Sequence, residues 1–191
     1  MRRILRSTFL TACSLIVAAG LSAPALAQLE NENLLLSMPP GYKVDFQKKQ
    51  GSASITEMVP NAETVQNWTE MVTVQVFYNM KTVTPQEFKG RLEQLWASSC
   101  PKASSKSVAE GVEHGYPTLM WVLFCPLNPS TGKPENTWLK AIQGRDSFYL
   151  VQKAYKFTPT KAQEAQWVDY LNSASVCDTR GTRSPCPKTK P

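Results

Sequence analysis

The chain has 191 residues and a formal net charge of +6 at pH 7. This length fits one domain that holds a single hydrophobic core without support from a metal or a cofactor. After residue 27 no segment of the sequence approaches the roughly 20 apolar residues of a membrane-spanning helix, which argues against an integral membrane protein.

Residues 1–27 carry the three parts of a secretory signal peptide. A basic start, residues 1–6, precedes an apolar stretch, residues 9–21, and the sequence Ala-Leu-Ala at 25–27 is a small-x-small cleavage site. We expect cleavage after Ala27, and removal of 27 residues from 191 leaves a mature chain of 164. The exported chain is expected to work in the periplasm of a Gram-negative bacterium.

A lipoprotein signal is the competing interpretation of the leader. Residues 10–13, Leu-Thr-Ala-Cys, fit the pattern in which the cysteine receives a lipid. However, Arg6 interrupts the apolar run before Cys13, and the better run follows Cys13 and leads to the cleavage site. Cleavage after Ala27 is therefore favoured over lipidation of Cys13.

The positive charge lies at the two ends of the chain. Three arginines leave with the signal peptide, so residues 28–177 are neutral, and the tail, residues 178–191, holds the remaining +3. Because a nucleic-acid-binding domain clusters its basic residues on the folded body, we expect no nucleic-acid partner. The composition of the tail predicts a disordered end, and weak contact with an anionic surface is the alternative. The tail's charged residues are Arg180, Arg183, Lys188, Lys190 and Asp178.

Four cysteines remain after cleavage, which in an oxidising compartment indicates disulfide bonds with three permitted pairings. We favour a bond between Cys100 and Cys125, which ties the end of a helix to a strand. The second bond would then join Cys177 to Cys186 and hold the tail. No pair has the short spacing of a zinc site and the single histidine is distant in sequence, so we expect no metal and no cofactor.

Alternating apolar residues predict strands along most of the chain. The clearest, residues 71–78, should lie inside a sheet because valines and a tyrosine recur on one of its faces. The unbroken apolar run at 119–124 predicts a strand buried on both faces. The other predicted strands are 42–46, 54–58, 108–112, 138–143 and 148–157, of which the last two form a hairpin.

Two helices are predicted from their start signals. Thr84 with Glu87, and Thr160 with Gln163, have the spacing of capping boxes, and Pro85 occupies the first helical position. The predicted buried stripes are Phe88, Leu92, Leu95 and Trp96 in the first helix, and Trp167, Val168 and Leu171 in the second.

Strands joined by hairpins, with two well-separated helices, predict an α+β domain: an antiparallel β-sheet with helices packed on both faces. The order of elements from Gly41 to Val176 resembles the Mog1/PsbP-like fold, in which a central antiparallel sheet lies between helices. Most members of that fold are accessory and interaction proteins, so the resemblance implies a non-catalytic role.

His114 is the single histidine, so a Ser-His or Cys-His catalytic arrangement would have to use it. It precedes Gly115 in a predicted turn, where we expect an exposed side chain. The alternative is a Glu110–His114 pair that moves a proton. Because two residues make no active site, no catalytic residue is assigned.

Trp68 is a large aromatic residue among polar neighbours, directly before the clearest predicted strand. One interpretation is an exposed anchor for a partner or ligand, because tryptophan is frequent among residues that dominate binding interfaces. The other, which we favour, is that Trp68 closes the end of the core.

We therefore expect a non-catalytic periplasmic binding or assembly-accessory protein of the cell envelope. Its partner would be another envelope protein or a small ligand, and Trp68 and His114 are the candidate binding residues. The alternative function is a small envelope hydrolase that uses His114.

Overall fold

The structure of the chain is a computed structural model that describes residues 29–187. The expected signal peptide, its Cys13 and the last four residues of the tail lie outside the described residues. The elements between them are, in chain order, β1 (Glu32–Leu35), β2 (Tyr42–Gln50), β3 (Ala53–Pro60), β4 (Glu70–Tyr78), α1 (Pro85–Ser99), β5 (Ser104–Glu113), β6 (Tyr116–Asn128), β7 (Lys133–Gln143), β8 (Ser147–Tyr155), α2 (Lys161–Ser173) and β9 (Ser175–Asp178).

Seven strands form one sheet in the order β2-β3-β4-β8-β7-β6-β5, and every neighbouring pair is antiparallel. Strand β4 lies inside this sheet, as predicted, because β3 and β8 flank it. Strands β1 and β9 form a separate antiparallel ribbon. The described residues are dominated by the large sheet, in agreement with the predicted α+β class.

The sheet is covered on both faces. On one face, Trp167 and Leu171 of α2 pack against a cluster that includes Trp138 and Val151. On the other face, α1 packs against a second cluster, where the rings of Phe88 and Phe148 stack with centroids 4.7 Å apart. Strand β6 contributes residues to both clusters, so the apolar run at 119–124 is buried on both sides as predicted.

Both helices begin where the sequence predicted. Thr84 and Glu87 form a reciprocal capping box at α1, and Thr160 and Gln163 form another at α2. The predicted stripe of α1 is wrong at Leu95, whose exposure is 63%. Phe88, Leu92 and Trp96 recur every four residues and contact the sheet, whereas Leu95 lies at the margin of the stripe beside a surface groove.

Several strands differ from the predicted ranges. Strand β5 begins at Ser104 instead of 108, and β6 continues to Asn128, because backbone pairing extends into polar residues that show no alternation. The ribbon strands β1 and β9 have four residues each and were not predicted. Such short segments carry too little periodicity to be recognised from sequence.

The structure joins Cys100 to Cys125 and Cys177 to Cys186, which is the pairing favoured from the sequence. The first bond links the end of α1 to β6, with the Cα atoms 6.0 Å apart. The second links β9 to the segment that follows it, with the Cα atoms 4.8 Å apart. Two disulfides fit an oxidising compartment outside the cytoplasm.

Residues 179–187 differ from the disordered tail that composition predicted. The Asp178 backbone N–H donates to the Ser184 carbonyl, and the Ser184 hydroxyl donates to the carbonyl of Val176. Arg180 donates to both Asp146 and Asp178. These contacts and the second disulfide hold the segment against the ribbon, so its first arginine is already paired.

No helix within residues 29–187 has the length and apolar character that crossing a membrane requires.

We predict that the two disulfides stabilise the chain unequally. The bonds close loops with separations of 25 and 9 residues. In the chain-entropy model, replacing both cysteines by alanine should then lower the free energy of unfolding by about 3.5 kcal/mol for Cys100–Cys125 and about 2.6 kcal/mol for Cys177–Cys186. Urea unfolding followed by tryptophan fluorescence measures both losses. A larger loss from the shorter loop would contradict the loop-size argument.

Candidate binding site

His114 lies in the two-residue turn between β5 and β6 and is exposed. Its φ is 53° and that of Gly115 is 86°, the positive values that a tight hairpin turn requires. The carboxylate of Glu110 accepts a hydrogen bond from Gln86 of α1 at 2.7 Å, and within residues 29–187 no hydrogen bond joins it to His114. This placement gives the hydrolase alternative no support.

Trp68 lies in the connection between β3 and β4 and is half-buried. It belongs to none of the core clusters of the described residues. The ammonium group of Lys156 stands over its indole ring, 3.8 Å from the ring centroid. Trp68 is therefore a half-buried aromatic residue outside these clusters, with one face of its ring covered by a cation.

A completely buried lysine lies at the same end of the sheet. Lys153 of β8 has a side-chain exposure of 0%, and its ammonium group donates to Glu70 of β4 and to the hydroxyl of Tyr42, each at 2.5 Å. The Tyr42 hydroxyl in turn donates to the same carboxylate oxygen at 2.8 Å. We call Tyr42, Glu70 and Lys153 the buried triad.

Aromatic rings enclose the rest of the ammonium group. Its nitrogen lies 3.8 Å from the ring centroid of Trp167 and 4.7 Å from that of Tyr155. These distances are in the range of favourable cation–π contacts, which are strongest when the cation is desolvated. Tyr42 acts through its hydroxyl, since the lysine approaches it at the oxygen.

Burial shifts the pKa values of Lys153 and Tyr42. It lowers the pKa of Lys153 to about 8, because desolvation disfavours the charged amine and the attraction of Glu70 offsets only part of this cost. Burial, the hydrogen bond to Glu70 and the charge of Glu70 raise the pKa of Tyr42 far above its usual value. Tyr42 therefore stays protonated, and its hydroxyl donates a hydrogen bond to the carboxylate of Glu70.

A pocket of about 230 Å³ opens beside the triad. The side chains that line it are aromatic rings, proline rings, amides and one carboxylate: Pro39, Pro40, Tyr42, Glu70, Gln163, Gln166, Trp167 and Tyr170. We call this the α2 pocket. Glu70 and Tyr42 separate it from Lys153, whose opposite charge balances that of Glu70.

A second buried lysine holds the other end of α2. The ammonium group of Lys140, in β7, donates to Glu113 at 2.7 Å and to the carbonyls of Ala174 and Asn172 at 2.9 and 3.3 Å. Its side chain is 1% exposed, and the last turn of α2 has no basic residue of its own. A strand thus supplies the positive charge that the carbonyls at a helix C-terminus favour.

Glu70 and both buried lysines were not predicted from the sequence. The signal was present in part: Lys140 lies in the apolar run of β7, and Lys153 shares one strand face with Val151 and Tyr155. A lysine on an apolar face predicts a buried cation that needs a partner. The partner cannot be named from sequence, because Glu70 belongs to a strand 83 residues away.

No protein-family model and no curated protein matches this chain. Solved structures with a similar fold include the Saccharomyces cerevisiae Ran-binding protein Mog1p, with 11% identity, a TM-score of 0.42, and coverage of 74% of this chain and 85% of that chain. A variant of Mog1 gives 12% identity, a TM-score of 0.42, and coverage of 73% and 84%. PsbP from the cyanobacterium Synechocystis gives 11% identity, a TM-score of 0.45, and coverage of 80% of this chain and 94% of that chain. These neighbours include both Mog1 and PsbP, which agrees with the Mog1/PsbP-like fold that the order of elements resembles.

We predict that the buried triad responds unequally to loss of either charge. Glu70→Gln should lower the free energy of unfolding by about 3 kcal/mol, because it leaves a fully buried ammonium without its carboxylate. Lys153→Met should cost only about 1 kcal/mol, because Glu70 is 24% exposed and keeps the Tyr42 hydroxyl as donor. Urea unfolding at neutral pH measures both. Lys161→Met, on a side chain that is 94% exposed, is the control and should change stability little.

We also predict a pH dependence specific to Lys153. Its pKa is about 8 in the folded chain against 10.5 as the ordinary value. Between these values the unfolded chain holds a proton that the folded chain has lost, so the contribution of Lys153 to stability rises with pH. The stability of the unaltered chain minus that of Lys153→Met should therefore increase from about pH 8 to about pH 10. A difference that stays constant over this range contradicts the assignment.

Proposed function

We propose that this chain is a non-catalytic binding protein of the bacterial cell envelope, exported to the periplasm, and that the α2 pocket is its binding site. The observation that carries the proposal is the closed triad beneath the pocket. The charges of Lys153 and Glu70 are paired with each other. The pocket above them therefore presents mainly aromatic and amide side chains to a partner.

The burial of Lys153 argues for binding over catalysis. A lysine with a pKa of about 8 has the chemistry of a nucleophile or a base. A catalytic amine must reach the substrate, whereas this side chain has no exposed surface and donates to Glu70 and Tyr42. The triad therefore has a structural role: Lys153 holds Tyr42 and Glu70, which line the pocket, in position.

The size of the pocket favours a protein partner. Pockets for drug-sized ligands usually measure about 300–1,000 Å³. The α2 pocket has about 230 Å³, which suits one inserted side chain better than a larger free ligand. Its rings favour a group with a flat apolar face, and Glu70 favours a hydrogen-bond donor on that group.

Trp68 is a second contact in this proposal. It lies two residues before Glu70 in the chain, and its half-buried indole has Lys156 over one face. Tryptophan contributes large apolar area at the centre of many interfaces. We assign no binding role to His114, whose turn belongs to the β5–β6 hairpin.

Site-specific photo-crosslinking in producing cells tests the proposal. A photoreactive amino acid at Pro40, which lines the pocket and is exposed, should crosslink to one recurrent envelope protein identified by mass spectrometry. The same label at Trp68 should capture the same protein. A label at Ser130, in the exposed β6–β7 turn, is the control position and should not.

A pair of matched substitutions on α2 decides whether the pocket itself is used. Gln166→Trp fills the pocket and should abolish the crosslink from position 40. Asp169→Trp places the same bulk on an exposed position of the same helix that does not line the pocket and should leave the crosslink unchanged. Equal crosslinking from positions 40 and 130, or a crosslink that survives Gln166→Trp, would refute the proposal.

A further inference from the structure

The buried triad uses one of the two carboxylate oxygens of Glu70. The hydrogen bonds from Lys153 and from Tyr42 both end on its Oε2 atom. Within residues 29–187 no hydrogen bond reaches its Oε1 atom, although the side chain lines the α2 pocket and is 24% exposed. A carboxylate oxygen in this position accepts hydrogen bonds from a guest that supplies N–H groups, and most strongly from a cationic one.

The other side chains of the α2 pocket suit a flat cation. None of the residues that line it is a lysine or an arginine. Two of them, Trp167 and Tyr170, are aromatic rings in contact, with centroids 5.0 Å apart. Gln166 is exposed, and its side-chain amide forms no hydrogen bond within the described part of the chain, so its carbonyl is a second acceptor. Aromatic rings together with two oxygen acceptors are the groups that attract a planar cation.

The positive charge that balances Glu70 lies behind it. Lys153 has no exposed surface and does not itself face a guest. Its pKa of about 8 allows it to lose its proton near neutral pH, whereas burial holds the pKa values of Tyr42 and Tyr155 above the usual range for tyrosine. The groups that face Lys153 are Glu70 of β4, Tyr42 of β2, Tyr155 of its own strand, Trp167 of α2 and, at longer range, Glu63, which also attracts Lys156.

We propose that the α2 pocket binds the guanidinium group of an arginine side chain on a partner protein. Oε1 of Glu70 and the carbonyl of Gln166 accept hydrogen bonds from its N–H groups, and its flat face lies against the aromatic rings. The inference rests on the proposed function, since it names the residue that the partner inserts into the same pocket.

Three other guests fit the pocket less well. A lysine ammonium group is strongly hydrated and offers no flat face to the rings. A neutral amide or urea supplies N–H groups but no charge to pair with Glu70. A carboxylate meets Glu70 as a like charge, and no lysine or arginine among the lining residues offsets the repulsion.

Binding of a cation at Glu70 changes the protonation of Lys153. The guest and Lys153 contact the two oxygens of one carboxylate, and two positive charges so close repel each other. Lys153 therefore releases its proton to water when the guanidinium group binds, and one positive charge at Glu70 replaces another. The exchange makes binding tighter as the pH rises, because the guanidinium group stays charged while Lys153 loses its charge.

Titration of the exported chain, purified from producing cells, with N-acetylarginine methylamide tests the proposal. This probe should shift the ring-carbon signals of Trp167 and Tyr170 in NMR spectra. N-acetylcitrulline methylamide has nearly the same shape without the charge, and it should bind at least about tenfold more weakly. Free arginine should bind no more tightly than the capped probe, because the pocket takes a side chain of a protein.

The pH dependence of this binding tests the exchange with Lys153. With a pKa of about 8, roughly one tenth of the Lys153 side chains are uncharged at pH 7 and roughly nine tenths at pH 9. The affinity for the capped arginine should therefore rise about tenfold between these pH values. Lys153→Met should bind about tenfold more tightly than the unaltered chain at pH 7 and show little pH dependence. Lys161→Met, on the exposed surface of α2, is the control and should change the affinity by less than about twofold.

Substitution of the carboxylate tests its role directly. Glu70→Gln should remove the preference for the arginine probe over the citrulline probe. Glu110→Gln makes the same change on β5, at the opposite edge of the sheet from β2, and should keep the preference. Gln166→Trp fills the pocket and should abolish the shifts that the probe causes. Circular dichroism melting checks that each variant is folded, and the Lys153→Met result stands even if Glu70→Gln unfolds.

Three results would overturn the inference: equal binding of the arginine and citrulline probes, affinity that does not rise with pH in the unaltered chain, or tighter binding of free arginine than of the capped probe. Crosslinking from position 40 is read separately. A crosslinked partner without selectivity for arginine overturns this inference and leaves the proposed function in place. Selectivity for arginine without a crosslink supports the chemistry of the pocket and refutes the protein partner.

Discussion

The position of α2 on the sheet depends on two lysines that are buried beneath it. Lys140 donates to the carbonyls at the C-terminal end of the helix, and Lys153 stands against the ring of Trp167 nearer its start. Each ammonium group has an acidic partner from another strand, Glu113 or Glu70. A buried charge without a partner costs several kcal/mol, so both pairs must form when the helix docks. Polar groups therefore fix where this helix lies, and apolar burial supplies most of the attraction.

This arrangement explains why the chain presents two different surfaces on the two flanks of one helix. On the flank near the triad, aromatic rings and a neutralised carboxylate line a small pocket. On the other flank, between α2 and the edge strand β5, a larger groove has a floor of Val122, Phe124 and Trp138.

The opposite face of the sheet is covered by α1. Helix α1 packs there through Phe88, Leu92 and Trp96, and the Cys100–Cys125 bond ties its C-terminal end to β6. At the other end of the chain, the Cys177–Cys186 bond and the Arg180 contacts hold the last described residues against the ribbon of β1 and β9. In the ribbon, Val176 and Leu34 pack against Ile142 and Tyr149 of the large sheet. Both ends of the described chain thus contribute to one core.

The sequence by itself determined the features that arise between residues close in the chain. The capping boxes at Thr84 and Thr160, the alternation in β4 and the doubly buried β6 were all predicted, because each depends on residues within a few positions of one another. The tertiary structure decided the rest. Glu70 meets Lys153 across 83 residues, and β1 pairs with β9 from opposite ends of the described chain. Sheet order and register decide such partners, and no local pattern encodes them. The buried triad and the α2 pocket therefore could not be predicted from the sequence.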